Sequence, residues 1–83
     1  MKITYFPEQT DTKGNRYRIG TAHDKFFIER LGTKDGIFRE SDGWNLVMGY
    51  ELTDKYSQSQ KSSYMESLSQ AQDFLIRLLN PLA

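Results

Sequence analysis

The sequence predicts a small two-layer α+β domain: a three- to four-stranded antiparallel β-meander with one C-terminal α-helix packed on one face. Three observations carry this reading. Between Arg16 and Leu52, short apolar runs alternate with Gly- and Asp-containing turns: RYRIGT, AHD, KFFIERL, GTKDG, IFRE, SDG and WNLVMGYEL. That is the pattern of hairpins in series. The final stretch, SSYMESLSQAQDFLIRLLNPLA, changes period: Tyr64, Leu68, Ala71, Leu75, Leu78 and Leu82 recur at steps of four and three, with Met65, Phe74, Ile76 and Leu79 widening the stripe. This is helical spacing. Finally, 83 residues suit one domain spanning 1–83, which buries only somewhat more than about 60% of its unfolded surface.

KITYF (2–6) reads as an edge strand ended by Pro7. EQTDTKGN (8–15) is polar and turn-rich, a loop or arm. Asp42-Gly43 is a favoured two-residue hairpin turn, pairing Ser41 with Trp44, Arg39 with Leu46 and Ile37 with Met48 on shared faces. GTKDG closes with an even loop, whether as 32–35 or as Asp35-Gly36, so Ile28 joins the face of Ile37 and Arg39. An even AHD turn adds Tyr17 and Ile19 to that face, whereas a three-residue loop reverses them. Residues 53–62 form a polar linker, and the helix is expected over 63–80. Ser63 and Glu66 fit a capping box, Asp73 and Arg77 are spaced to pair on the outer surface, and Asn80-Pro81 stops the helix.

Alternation then assigns the faces. Tyr17, Ile19, Phe26, Ile28, Ile37, Trp44, Leu46, Met48, Tyr50 and Leu52 meet the helix, with Arg30 and Arg39 extending their stems toward water. Phe27, Glu29, Leu31, Phe38, Glu40, Asn45, Val47, Gly49 and Glu51 face outward. Phe26 and Phe27 are neighbours in one strand, so one belongs in a core and the other needs a different cover.

Composition narrows the function. Eleven basic and eleven acidic residues give zero formal charge, which argues against a strongly basic nucleic-acid binder and an acidic mimic. Residues 1–40 hold eight basic and six acidic residues, and 41–83 hold three and five, too slight an asymmetry to identify a partner. Cysteine is absent, so there is no disulfide or thiolate chemistry and no need of an oxidising compartment. No apolar run approaches the roughly 18 residues of a membrane span. MKITYFPEQTD lacks the apolar segment and cleavage site of a signal peptide. A cytoplasmic protein is expected.

Catalytic chemistry has little to stand on. His23 is the single histidine and falls in the AHD turn, where it reads as a polar turn residue. Tetrahedral zinc needs several Cys or His ligands. DTKGN and ESDG do not complete a calcium loop, and no glycine loop has the spacing that cradles phosphate. Glu29 and Glu40, neighbours across a hairpin, read as solvated charges rather than a glycosidase pair. No enzyme, metal or cofactor is expected.

The expectation that remains is a protein-binding patch formed by Phe27, Glu29, Leu31, Phe38 and Glu40 on the open face. Its partner would be another protein or a second copy in a homodimer, engaged through this face or an edge strand. A small non-enzymatic interaction module of this kind suits a regulator or inhibitor of a larger complex, of the phage or mobile-element accessory type. The alternative is a nucleic-acid-binding sheet using Lys13, Arg16 and Arg18. A sheet of three or four strands followed by a helix resembles, in topology only, the sheet-reading DNA-binding modules of tyrosine recombinases.

Overall fold

A computed structural model describes residues 2–32 and 43–80 of the chain. The expected IFRE strand, the Asp35-Gly36 and Asp42-Gly43 turns, Phe38, Glu40 and Leu82 lie outside the described residues. The architecture is an antiparallel sheet with one C-terminal helix. Its strands are β1 (Thr4–Tyr5), β2 (Gln9–Thr10), β3 (Arg16–Ala22), β4 (Lys25–Leu31), β5 (Trp44–Leu46) and β6 (Tyr64–Met65), followed by α1 (Leu68–Leu79).

The long hairpin β3–β4 is the frame. His23 and Asp24 make its two-residue turn with φ of 52° and 61°, the left-handed pair whose twist matches the flanking strands. The even count sends Tyr17 and Ile19 to the face of Phe26 and Ile28, one of the two outcomes allowed by the sequence. β1 and β2 both lie along β3, while β6 and β5 lie along β4. Gln9–Thr10 was expected within a loop; it pairs instead with Tyr17 and Arg16. The loop that follows is closed by Asp11, whose carboxylate accepts N–H bonds from Lys13 and Asn15 at 2.8 Å. Partial burial pushes that carboxyl up, but the bonds from Asn15 and Lys13 outweigh it and hold it below its ordinary value.

The helix-covered core contains Tyr17, Ile19, Ile28, Val47, Leu52, Met65, Ala71, Phe74 and Leu75, with Phe26, Leu68, Leu78 and Leu79 packed around it. Burying side chains of this size contributes roughly 1.5–3 kcal/mol each. Ile76, counted in the stripe, is exposed.

Three features of the structure differ from the sequence expectations. The helix begins at Leu68 rather than residue 63, because Tyr64 and Met65 hydrogen-bond as a strand against Phe27 and Phe26. Ser67 is the N-cap and accepts from the Gln70 N–H at 3.1 Å, while the buried Ser63 hydroxyl accepts from the Gly49 N–H at 3.0 Å. Second, β5 pairs directly with β4, Glu29 opposite Leu46 and Leu31 opposite Trp44. This register inverts the alternation obtained by counting even turns. Trp44 and Leu46 therefore join the outer face, Val47 enters the core, and Met48 and Tyr50 are exposed. A 3-10 turn at Gly49–Glu51 resets the count, so Leu52 is buried as expected and Glu51 swings inward. Third, Arg30 does not reach water: its Nη2 donates to Glu51 Oε1 at 2.9 Å over the Tyr17 ring. Desolvation lowers the Arg30 pKa, but Tyr17 and Glu51 more than compensate and leave it above its ordinary value.

The 53–62 stretch is an ordered turn rather than a plain linker. Asp54 accepts from the backbone N–H groups of Tyr56 and Gln58, and Thr53 bridges Ser59. Those bonds, that of Gln58 foremost, hold the Asp54 carboxyl below its ordinary value. Arg77, expected to pair with Asp73, donates instead to the Thr53 carbonyl at 3.3 Å.

Candidate protein-interaction face

Cross-strand pairing builds the outer face in rows. The first runs across four strands: Tyr5 opposite Gly20, Gly20 opposite Phe27, and Phe27 opposite Tyr64. Gly20 explains what happens to Phe27. A Cβ at position 20 would come within 2.4 Å of the Phe27 ring, so the missing side chain is the space the ring occupies. Tyr5 and Tyr64 close on it from both sides, edge to face, at centroid distances of 6.4 and 6.0 Å. Phe27 consequently points outward yet is only 7% exposed, whereas Tyr5 and Tyr64 remain 40% and 50% exposed.

The second row sets Arg18 opposite Glu29 and Glu29 opposite Leu46. Arg18 Nε donates to Glu29 Oε1 at 2.8 Å, and its guanidinium lies 3.6 Å from the centre of the Tyr5 ring and 4.2 Å from that of Trp44. Arg16 lies beside Trp44, 6.0 Å from its ring, and donates through Nε to Glu8 Oε1 at 2.9 Å. Lys25 pairs with Glu66 beside Tyr64.

The expected site residues are thus partly reunited. Phe27, Glu29 and Leu31 share the outer face, with Phe27 and Leu31 buried in it and Glu29 engaged by Arg18. Phe38 and Glu40 lie outside the described residues. Of the basic set, Arg16 and Arg18 are adjacent on this face, and Lys13 is exposed in the Asp11 loop. Counting turns missed Tyr5, Trp44 and Tyr64. Tyr5 could have been found by pairing KITYF against β3; Tyr64 was hidden by its apparent place in the helix stripe.

Elsewhere, a cleft of about 730 Å³ separates the Asp54 turn from the end of α1, lined by Phe74 and Leu78 and by Asp54, Lys55 and Arg77. Its charges are of both signs, so it offers no single-sign field to a ligand. Among the described residues no helix is long and apolar enough to cross a membrane.

Fold and face together define a two-layer α+β domain that displays tyrosine, tryptophan and arginine on the sheet surface opposite its helix. Scans against protein-family models, curated proteins and solved structures return no match to this chain.

Proposed function

We propose that the chain is a small non-enzymatic protein-interaction module that binds a protein partner through its outer sheet face. The supporting observation is the Tyr5–Phe27–Tyr64 row, flanked by Arg18 between Tyr5 and Trp44. Tyr, Trp and Arg dominate binding hot spots, because each offers a large contact area with a polar tip. Here the rings are already held by one another, which reduces the ordering cost of association. The edges are less suited to strand addition, since β1, β2, β5 and β6 are two or three residues long. A module of this size acts as a regulator or inhibitor of a larger complex, as accessory proteins of phages and mobile elements do. Its cysteine-free composition suits the cytoplasm.

The test compares three immobilised forms of the chain in a host lysate: the wild type, Tyr5→Ser/Tyr64→Ser on the face, and Ile76→Ser on the exposed side of the helix. Wild type and Ile76→Ser should capture the same proteins and the face variant should lose them. Equal capture by all three removes a host protein as the partner held on this face.

A second reading has one observation in its favour: Arg16 and Arg18 lie side by side on the outer face next to Trp44, as a nucleic-acid-binding sheet requires. Both guanidinium groups, however, are bonded to carboxylates, so releasing them to phosphate costs two ion pairs. A DNA or RNA titration decides this reading: affinity should fall steeply as salt rises, and no binding at low salt removes it.

A further inference from the structure

We infer that the occupant of the outer sheet face is a second copy of this chain, forming a two-fold dimer sheet against sheet. The inference rests on the interaction-module reading above and specifies its partner. Arg16, Arg18 and Lys25 are matched on this face by Glu8, Glu29 and Glu66, one ion pair each. A surface meant for a basic or acidic partner carries an excess of one sign, and that excess would repel its own copy across a two-fold axis. This face carries no such excess among the described residues, and the whole chain has eleven charges of each sign. A formal net charge of zero removes the repulsion that keeps small proteins apart.

The molecule measures 34 × 30 × 20 Å, so one of its broad faces is of the order of the roughly 800 Å² per partner that a standard interface covers. Sheet-on-sheet packing needs side chains that interdigitate at about 10 Å between layers. The half-exposed Tyr5 and Tyr64 project beside the buried Phe27 and can meet their counterparts in this way. The product is a four-layer helix–sheet–sheet–helix body in which Tyr5, Phe27, Tyr64 and Trp44 become a second core. For a chain of this size, association is a common way to add buried surface.

Sedimentation equilibrium of the purified full chain, from about 1 μM to about 1 mM, is the direct measurement. The expected result is a reversible monomer–dimer equilibrium, with a melting temperature that rises with protein concentration because dimer formation stabilises only the folded state. Tyr64→Glu enters a symmetric interface twice and places a new charge in each copy, so its dimer dissociation constant should rise at least about tenfold. Ile76→Glu, on the helix surface, should leave it unchanged. A wild type that stays monomeric throughout, with a concentration-independent melting temperature, overturns the inference without relying on any variant. If it is monomeric while lysate capture still depends on Tyr5 and Tyr64, only the second copy is wrong and the interaction module stands. If both fail, the face is not an interface.

Discussion

On the inner face of the sheet, Ile19, Ile28 and Val47 meet Ala71, Phe74 and Leu75 of the helix in a core made mostly of hydrocarbon. On the outer face, Phe27 is covered by two tyrosines that remain half open to solvent, and the charges around it are neutralised in pairs. Both faces bury a phenylalanine-sized side chain, yet by different means. The inner one uses a dedicated layer; the outer one uses a missing Cβ at Gly20 and the edges of neighbouring rings. A face closed by its own side chains, with aromatic rims left over, can hold itself together and still offer surface. The division to be tested is therefore stability on the inside and recognition on the outside.

The largest effect should come from the inner face. Leu75 is almost fully buried against the sheet, and Leu75→Ala removes its packing and leaves a cavity, a loss of about 2–5 kcal/mol. Urea unfolding followed by circular dichroism measures it. A loss below about 1 kcal/mol would mean that the helix layer contributes far less than its burial implies.

Gly20→Ala attacks the outer face at its tightest point. The added Cβ must displace the Phe27 ring, and Tyr5 Cε1 is also within 3.1 Å. Overpacking of this kind costs about 1–3 kcal/mol. Combining it with Phe27→Leu, which shortens the opposing side chain, should recover part of the loss. Strict additivity of the two substitutions would show that the ring does not rest on the glycine.

Much of this layout was legible in the sequence, and the exceptions share a cause. Phe26 and Ile28 under the helix and Phe27 outward follow from alternation along one strand, whereas Tyr17 and Ile19 stay open between two lengths of the AHD turn until the structure shows the two-residue His23–Asp24 turn. Ala71, Phe74 and Leu75 follow from period alone. The face of Trp44 did not, because it depends on which strand β5 pairs with, and counting even turns through residues 33–42 assumed an intervening partner. Direct pairing with β4 reversed it. The cover of Phe27 was equally hidden: Tyr5 and Tyr64 lie 22 and 37 residues away from it in the chain, and no local pattern reports such pairings. At the helix start, Ser63–Glu66 and Ser67–Gln70 both fit the capping pattern. The strand pairing of Tyr64 and Met65 decided between them.

A smaller effect measures the coupling within the outer face. In a double-mutant cycle on Phe27→Leu and Tyr64→Ser, the edge-to-face contact at 6.0 Å should appear as a coupling of about 0.5–1.5 kcal/mol. Tyr64→Ser alone should cost less than Leu75→Ala, since half of the ring is already in water. If Tyr64→Ser destabilises the monomer as much as Leu75→Ala does, the outer face is a second structural core and the contrast between the faces disappears.

Acid provides the smallest and most selective test, because Asp11 and Asp54 sit in loops rather than on either face. Both carboxyls are held below their ordinary value by hydrogen bonds to the ionised form, from Asn15 and Lys13 in one loop and from Gln58 and Tyr56 in the other. A depressed folded-state pKa means that the unfolded chain binds protons first as pH falls. The stabilisation is therefore fully present above the unfolded value, near 3.8, and is lost as pH drops through the lower folded value. Both groups are largely solvated, so the slope should be shallow. Urea midpoints between about pH 6 and pH 2 should decline below about pH 4, and the Asp11→Asn/Asp54→Asn variant should flatten that decline. The difference in stability between Leu75→Ala and Tyr64→Ser should stay constant over the same range. If acid instead narrows that difference, the two faces are coupled through their charges and not closed independently.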